Sequence, residues 1–243
     1  MVRACWDYYA DPAGFRSWLQ KLADQRLPVV NSTTAMLWNL DKRYMLELEA
    51  AGLPVVPSCA IDADDHDAIE ALMVERGWQD VVRKPIHGQS GFYVQRLTLA
   101  ERQQWRVAGF SGPALIQPYQ HDIETAGETL LVYFDGHFSH AFRRRLAPGE
   151  WRSNSQFGAT RELVQMDAQT VAQGSELLAT AMRCYGTDEP PAYARVDGIV
   201  RGDQFVLMEL ELIEPALAFD LEPEAAVTFA ESLIRVEAIS RVI

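Results

Sequence analysis

Three groups of residues in this chain have the types and spacing to do chemistry. Arg195-Val-Asp197 and Glu209-Leu-Glu211 flank the turn tripeptide Arg201-Gly202-Asp203. On paired strands alternate side chains share a face, so Arg195 joins Asp197 and Glu209 joins Glu211. Counting by twos, Phe205 and Leu207 have the same parity as the two glutamates, so the acids are expected to extend an apolar face. Carboxylates crowded this closely repel unless something positive lies among them. Hard oxygen donors suit Mg²⁺ or Mn²⁺, shared with a substrate phosphate. The second group is Val81-Val-Arg-Lys-Pro85 followed by His87-Gly-Gln-Ser-Gly91. A strand-end lysine beside a glycine loop can hold phosphate: the glycines admit backbone N–H groups and the lysine adds a point charge. The third is Phe142-Arg-Arg-Arg145 with Trp151-Arg-Ser-Asn154, a set of arginines able to grip carboxylate or phosphate oxygens. Taken singly, each group also reads as an ordinary surface feature: a solvated turn, an acidic edge, or arginines balancing nearby acids.

Local patterns place these groups on elements. Asp11-Pro12 opens a helix carrying Phe15, Trp18, Leu19 and Leu22 on one face. Residues 28–31 read as a short strand, 41–51 as a helix ended by Gly52, and 55–56 as a strand. A helix over 66–76 leads into a strand–glycine loop–strand unit, 80–85 and 92–96. A helix over 100–107 and a strand over 114–117 follow. Residues 129–134 and 138–144 form a hairpin across Asp135-Gly136. A long loop over 147–159 and a helix over 170–185 precede a second hairpin, 193–200 with 204–212. Asp220 is expected to cap a last helix with Ala226, Phe229, Ala230 and Leu233 on its buried face. Helices between antiparallel strand pairs argue for an α+β fold rather than a doubly wound parallel sheet. The irregular stretch from Gln117 to Gly127 reads as a hinge between two lobes.

Composition narrows the function. The 243 residues carry 22 Lys and Arg against 34 Asp and Glu, a net charge of −12. Such a chain has no general attraction for nucleic acid or an anionic membrane, and neither is expected as a partner. Bound phosphate must be held by a few local cations or a metal. Three cysteines without a CxxC pair argue against a disulfide framework or zinc cluster, and for a reducing, cytoplasmic setting. No run approaches the length of a membrane span.

The order of the motifs resembles the ATP-grasp superfamily, on the glutathione synthetase and ribosomal-protein-modifying ligase side. The resemblance runs from about Val30 to Glu214. It rests on Asn39-Leu-Asp-Lys42, Val82-Arg-Lys84-Pro85 with its glycine loop, Gln117-Pro-Tyr-Gln120 and Gly127-Glu128, then the basic hairpin, the Arg152-Ser-Asn154 loop, Asp197 and Glu209-Leu-Glu211. It implies two α+β lobes with ATP between them. Residues 1–40 would be a remnant of an N-terminal lobe, 41–118 the small lobe and 119–243 the large lobe. Lys42 and Lys84 would contact the ATP phosphates, with Gly88, Gln89, Ser90 and Gly91 closing over them. Backbone groups of Gln117, Pro118, Tyr119 and Gln120 would read the adenine edge, and Glu128 the ribose. Asp197, Glu209 and Glu211 would hold Mg²⁺ or Mn²⁺; the last is more often asparagine in the family. Arg143 or Arg144, with Arg152 and Asn154, would face the transferred phosphoryl group and the acceptor carboxylate. The implied activity is a carboxylate–amine or carboxylate–nucleophile ligase working through an acyl phosphate on a small amino acid or peptide. A homodimer partner or a separate chain would complete the N-terminal lobe. The alternative is a non-catalytic ATP-binding module. A hydrolase using Glu209 and Glu211 leaves Lys84, the glycine loop and the hinge unexplained.

Overall fold

The computed structural model describes residues 1–240, with side chains described through 235. Helix α1, Pro12–Asp24, starts where expected: Asp11 accepts a hydrogen bond from the Gly14 N–H at 2.9 Å. Helix α2, Thr33–Asn39, is an addition to the sequence reading. Its signal is Ser32, whose hydroxyl accepts from the Ala35 N–H at 3.2 Å. The expected helix over 41–51 shortens to α3, Tyr44–Ala50. Strand β1, Cys59–Asp62, precedes α4, His66–Arg76, which Asp65 caps at one end and left-handed Gly77 at the other. Strands β2, Asp80–Pro85, and β3, Gln95–Thr98, enclose the glycine loop. A short 3₁₀ helix, Leu99–Gln104, stands where a longer helix was expected. Strand β4, Pro113–Pro118, runs into the one-turn α5, Asp122–Thr125.

The second half holds β5, Glu128–Phe134, β6, His137–Arg145, and the unforeseen edge strand β7, Thr160–Val164. Helix α6, Ala168–Cys184, strands β8, Tyr193–Arg201, and β9, Gln204–Glu211, and helix α7, Glu224–Ser240, complete the chain. Asp220 lies ahead of α7 and pairs with Arg161 at 2.8 Å instead of capping it. The buried face of α7 is Ala225, Phe229 and Ser232, whereas Ala230 is exposed.

Two antiparallel sheets result, ordered β1-β4-β2-β3 and β7-β6-β5-β8-β9. The expected α+β fold is the observed one. The smaller sheet packs on α4 through Ile69, Met73, Val81 and Ile116. One face of the larger sheet is covered by α6 and α3, joining Leu177, Ala181, Tyr44 and Leu48 to Val196 and Leu210. Helix α3 therefore belongs to the core of the five-stranded sheet, although residues 41–118 were expected in the small lobe. Among the described residues no helix is long and apolar enough to cross a membrane.

Close packing of α6 depends on Gly174. A Cβ there would lie 2.6 Å from Leu131 Cδ1 and nearer still to the Tyr133 hydroxyl. Gly174→Ala is expected to destabilise the fold by about 1–3 kcal/mol, the usual effect of overpacking a core. Urea denaturation checks this; an unchanged midpoint would mean that α6 does not sit this close.

Residues 28–31 do not form a strand. They carry Asn31, whose side-chain amide donates to the carbonyls of Tyr193 and Leu212, both at 2.8 Å. Along the outer edge of β9, Tyr44 bonds Leu210 N and O, while Asn39 bonds Leu210 O and Leu212 N. Val55 forms only an isolated parallel bridge to Leu207, and the Val56 N–H donates to the Leu207 carbonyl at 2.8 Å. Backbone groups on an edge strand need partners, and here side chains supply several of them. That anchoring fixes the strand that carries Glu209 and Glu211.

Candidate active site

The apolar parity expected for the acids fails because of a β-bulge. Asp197 pairs with Glu209, but the next β8 residue, Gly198, pairs with Leu207, so Met208 is the extra residue. An extra residue reverses the side-chain alternation beyond it. Phe205 and Leu207 pack with α6, and so do Leu210 and Leu212. Glu209 and Glu211 are thereby turned to the opposite face, beside Val206 and Met208. That face carries Glu128, Arg144, Arg195, Asp197, Glu209 and Glu211 as a polar band between two apolar patches.

The band is the floor of a cleft of about 940 Å³. Strand β2 supplies Lys84 from the other side. Lys42, just ahead of α3, is held by its N–H bond to the Ile86 carbonyl and makes an ion pair with Glu209. All four residues Gly88 to Gly91 line the cleft, as do Gln117 to Gln120, Arg152 and Asn154. Gly91 has φ +72° and no room for a side chain, because a Cβ would sit 2.7 Å from Asn154 Oδ1. The glycine loop thus rests against the Trp151–Asn154 loop, and Gln156 donates to the Ser90 carbonyl.

The far end of the cleft is apolar, walled by Val56, Val82, Ile123, Met208, Tyr119 and Trp151. Sequence reasoning did not assign Val82, Ile123, Met208 or Trp151 to a site. Val82 and Trp151 stood only as flanks of the lysine and arginine motifs, and Ile123 and Met208, as single apolar residues, offered no signal. The buried side chain of Gln117 bonds Ser58 at 2.9 Å, and that of Gln120 accepts from Arg201 at 2.6 Å. The Tyr119 N–H donates to the Asp80 carbonyl at 3.1 Å. Arg143 is the exception among the expected residues. It alternates to the other side of β6 from Arg144 and does not line the cleft.

No family model matches the chain. Over 246 residues it is 30% identical to the cycloserine biosynthesis protein DcsG of Streptomyces lavendulae, covering 96% of this chain and 81% of that protein. The crystal structure of D-cycloserine synthetase DcsG superposes with a TM-score of 0.83 at 26% identity, covering 95% of this chain and 81% of that one. The ATP-grasp ligase PsnB, complexed with a minimal precursor, has a TM-score of 0.57 at 19% identity and covers 86% and 62% of the two chains. This chain belongs to the ATP-grasp superfamily. D-alanine–D-alanine ligase from Bacillus anthracis shares the fold, with a TM-score of 0.68, 16% identity and coverage of 92% and 75%.

The electrostatics of this ATP-grasp cleft are those of paired charges. Arg195 was placed beside Asp197 by strand parity but given no role. It grips that carboxylate with Nε and Nη2, both at 2.8 Å, and also contacts Glu211. Glu128 accepts from Arg144 at 3.3 Å and from the Ser153 hydroxyl at 2.5 Å. Arg152 pairs with Glu150 at 2.8 Å and lies over the Phe157 ring. Burial would raise Glu209, but Lys42 and Lys84 outweigh it and hold the carboxyl at about 2. Burial pushes Glu211 up to about 7 in spite of Arg195, and raises Glu128 against the pull of Arg144. Burial lowers the Lys84 ammonium, opposed by Glu209. No salt bridge engages Lys84 among the described residues, so its charge is available to an incoming anion.

Among the described residues no three His, Cys, Asp or Glu side chains form a metal-binding group. Asp197, Glu209 and Glu211 share the cleft, where Lys42 pairs with Glu209 and Arg195 contacts Asp197 and Glu211. The donor set still fits Mg²⁺ in its usual manner, in which one or two carboxylates act together with substrate phosphate oxygens.

Proposed function

We propose that this ATP-dependent ligase joins a carboxylate to an amine through an acyl phosphate, acting on a small amino acid or a peptide. The observation that carries the reading is convergence. Every residue implied by the family resemblance except Arg143 lines one cleft, although they come from segments scattered between residues 42 and 211. The relationship to DcsG, a cycloserine biosynthesis protein, supports a small amino-acid substrate.

In this reading adenine lies in the apolar end between Val82, Met208 and Trp151, and the phosphates lie over Lys84, Lys42 and the glycine loop. A substrate carboxylate oxygen attacks the γ-phosphorus, the bond to ADP breaks, and an acyl phosphate forms. The amine then attacks the acyl carbon, phosphate leaves, and the amine loses a proton. Both steps concentrate negative charge on phosphoryl or acyl oxygens, which Lys84, Lys42 and Arg144 are placed to stabilise. Asp197, Glu209 and Glu211 would hold Mg²⁺, which supplies further neutralisation of phosphate charge. We take the four-stranded sheet with α4, ending at Pro118 and carrying Lys84, as the small lobe, and the five-stranded sheet carrying the acids, with α3 packed on it, as the large lobe.

Calorimetric titration with a non-hydrolysable ATP analogue, with and without Mg²⁺, tests the reading. Micromolar binding strengthened by Mg²⁺ is the expected result, and a folded protein that does not bind would overturn it. Lys84→Ala is expected to weaken that binding by about 1–3 kcal/mol, the loss of one charge-assisted contact. Unchanged affinity would remove Lys84 from the phosphate site.

A further inference from the structure

Beside the nucleotide cleft lies a smaller recess of about 340 Å³. It shares Lys42, Glu209, Glu211 and the start of the glycine loop with the cleft, and none of the apolar adenine walls. It therefore opens at the phosphoryl end, where an acceptor must meet the nucleotide. Its remaining walls come from Tyr8, Asn39, Leu40, Leu210, Ile213 and Glu214. The Asn39 amide is committed to the backbone of β9. Leu40, Leu210 and Ile213 are apolar. Tyr8 and Glu214 are left to recognise a ligand.

Glu214 differs from the other acids around it. Glu209 pairs with Lys42, Asp197 and Glu211 with Arg195, and Glu128 with Arg144. Glu214 is 8% exposed, makes no salt bridge among the described residues, and has a fully buried Oε2 with no hydrogen-bond partner. The Tyr8 phenol lies against it. Burial and the nearby Glu211 push the Glu214 carboxyl up to about 8, and an arriving cation favours its ionised form and offers a partner to the unbonded Oε2. The recess is narrow and suits a compact ammonium with three donors better than a planar guanidinium.

We propose that Glu214, together with Tyr8, binds the ammonium group of a small amino-acid substrate and directs its reacting end toward Lys42 and the phosphoryl site. This rests on the ligase reading and adds to it the residues that bind the substrate's ammonium group. Sequence reasoning gave Glu214 no role. Strand β9 ends three residues earlier, and the chain beyond it turns Glu214 into the recess.

The test is calorimetry on the full chain preloaded with the non-hydrolysable ATP analogue and Mg²⁺. The probes are D- and L-alanine, D- and L-serine, and D- and L-lactate, which lacks the ammonium. At least one amino acid is expected to bind, with lactate at least tenfold weaker. Glu214→Gln keeps the shape and removes the charge. It is expected to weaken amino-acid binding at least tenfold while leaving analogue affinity and its Mg²⁺ dependence unchanged. Should that variant fail to fold, Tyr8→Phe is expected to weaken the same amino acid several-fold. Equal binding of lactate, full affinity in the variants, or a change in Mg²⁺ dependence, which would make Glu214 a metal ligand, overturns the proposal. Analogue binding with no amino-acid binding overturns this proposal alone. Failure of the analogue to bind overturns the ligase reading and this proposal with it.

Discussion

Glu209→Ala is expected to lower Mg²⁺-dependent ATP turnover by at least about a hundredfold, the scale on which a lost transition-state electrostatic contact is felt. The reason is the charge arrangement around it. Glu209 is the ion-pair partner of Lys42 and lies in the field of Lys84, and both lysines keep it ionised. Without it the two lysines face each other with no carboxylate between them, and the cleft loses the acid best placed to share a cation with the phosphates. Affinity for the metal-free ATP analogue is expected to hold or rise, because negative charge has been removed from an anion site. Measuring both ADP release and metal-free binding separates a metal role from general damage. Full turnover in the variant would remove Glu209 from the reaction, and loss of metal-free binding as well would point to a collapsed cleft.

Arg195→Leu is expected to destabilise the fold by about 3–5 kcal/mol. The guanidinium is 2% exposed, holds Asp197 by both its Nε and Nη2, contacts Glu211 and donates to the Ala216 carbonyl at 3.1 Å. Removing it leaves Asp197 buried and uncompensated, and Glu211, already at about 7, loses its cationic neighbour. For a chain of this size the fall in melting temperature is roughly 2–4 °C per kcal/mol. Arg195→Lys is expected to recover part of the loss, since an ammonium restores the charge but cannot reproduce the planar two-nitrogen grip. A denaturation midpoint within about 1 kcal/mol of the parent chain in Arg195→Leu would show that the carboxylates draw their compensation from elsewhere.

The site residues that were legible in advance are those whose role depends on local pattern. Lys84 sits at the end of an apolar strand, immediately before glycines, and Asp135-Gly136 marks a hairpin whose second strand brings Arg144 opposite Glu128. Asp11 reads as a helix cap and is one, bonding the Gly14 N–H three positions on, whereas the caps Asp65 and Asp167 were not named although they bond in the same way. Arg143 was not separable from Arg144, since two adjacent arginines differ only in which face of β6 each occupies. Helix α2 was missed although Ser32 gave a cap, because its seven residues are too short to show a periodic face.

The sequence by itself determined the antiparallel α+β architecture and the strand-end lysine beside its glycine loop. It also set the acidic pair on the closing hairpin and, through motif order, the superfamily. Each is a local or sequential property, set by turn residues, alternation and charge. Tertiary structure decided which way the acids face and what fills the space between them. The bulge at Met208 reverses the parity of β9, an effect set by its register against β8 and not by its own composition. The pairings of Lys42 with Glu209 and Arg195 with Glu211 join residues 167 and 16 positions apart. The recess holding Glu214 exists only because Tyr8, from the opposite end of the chain, is folded against it. The hairpin itself opposes Arg195 and Glu211, but contacts such as Lys42 with Glu209 and Tyr8 with Glu214 follow from packing the whole chain, and no local pattern specifies them.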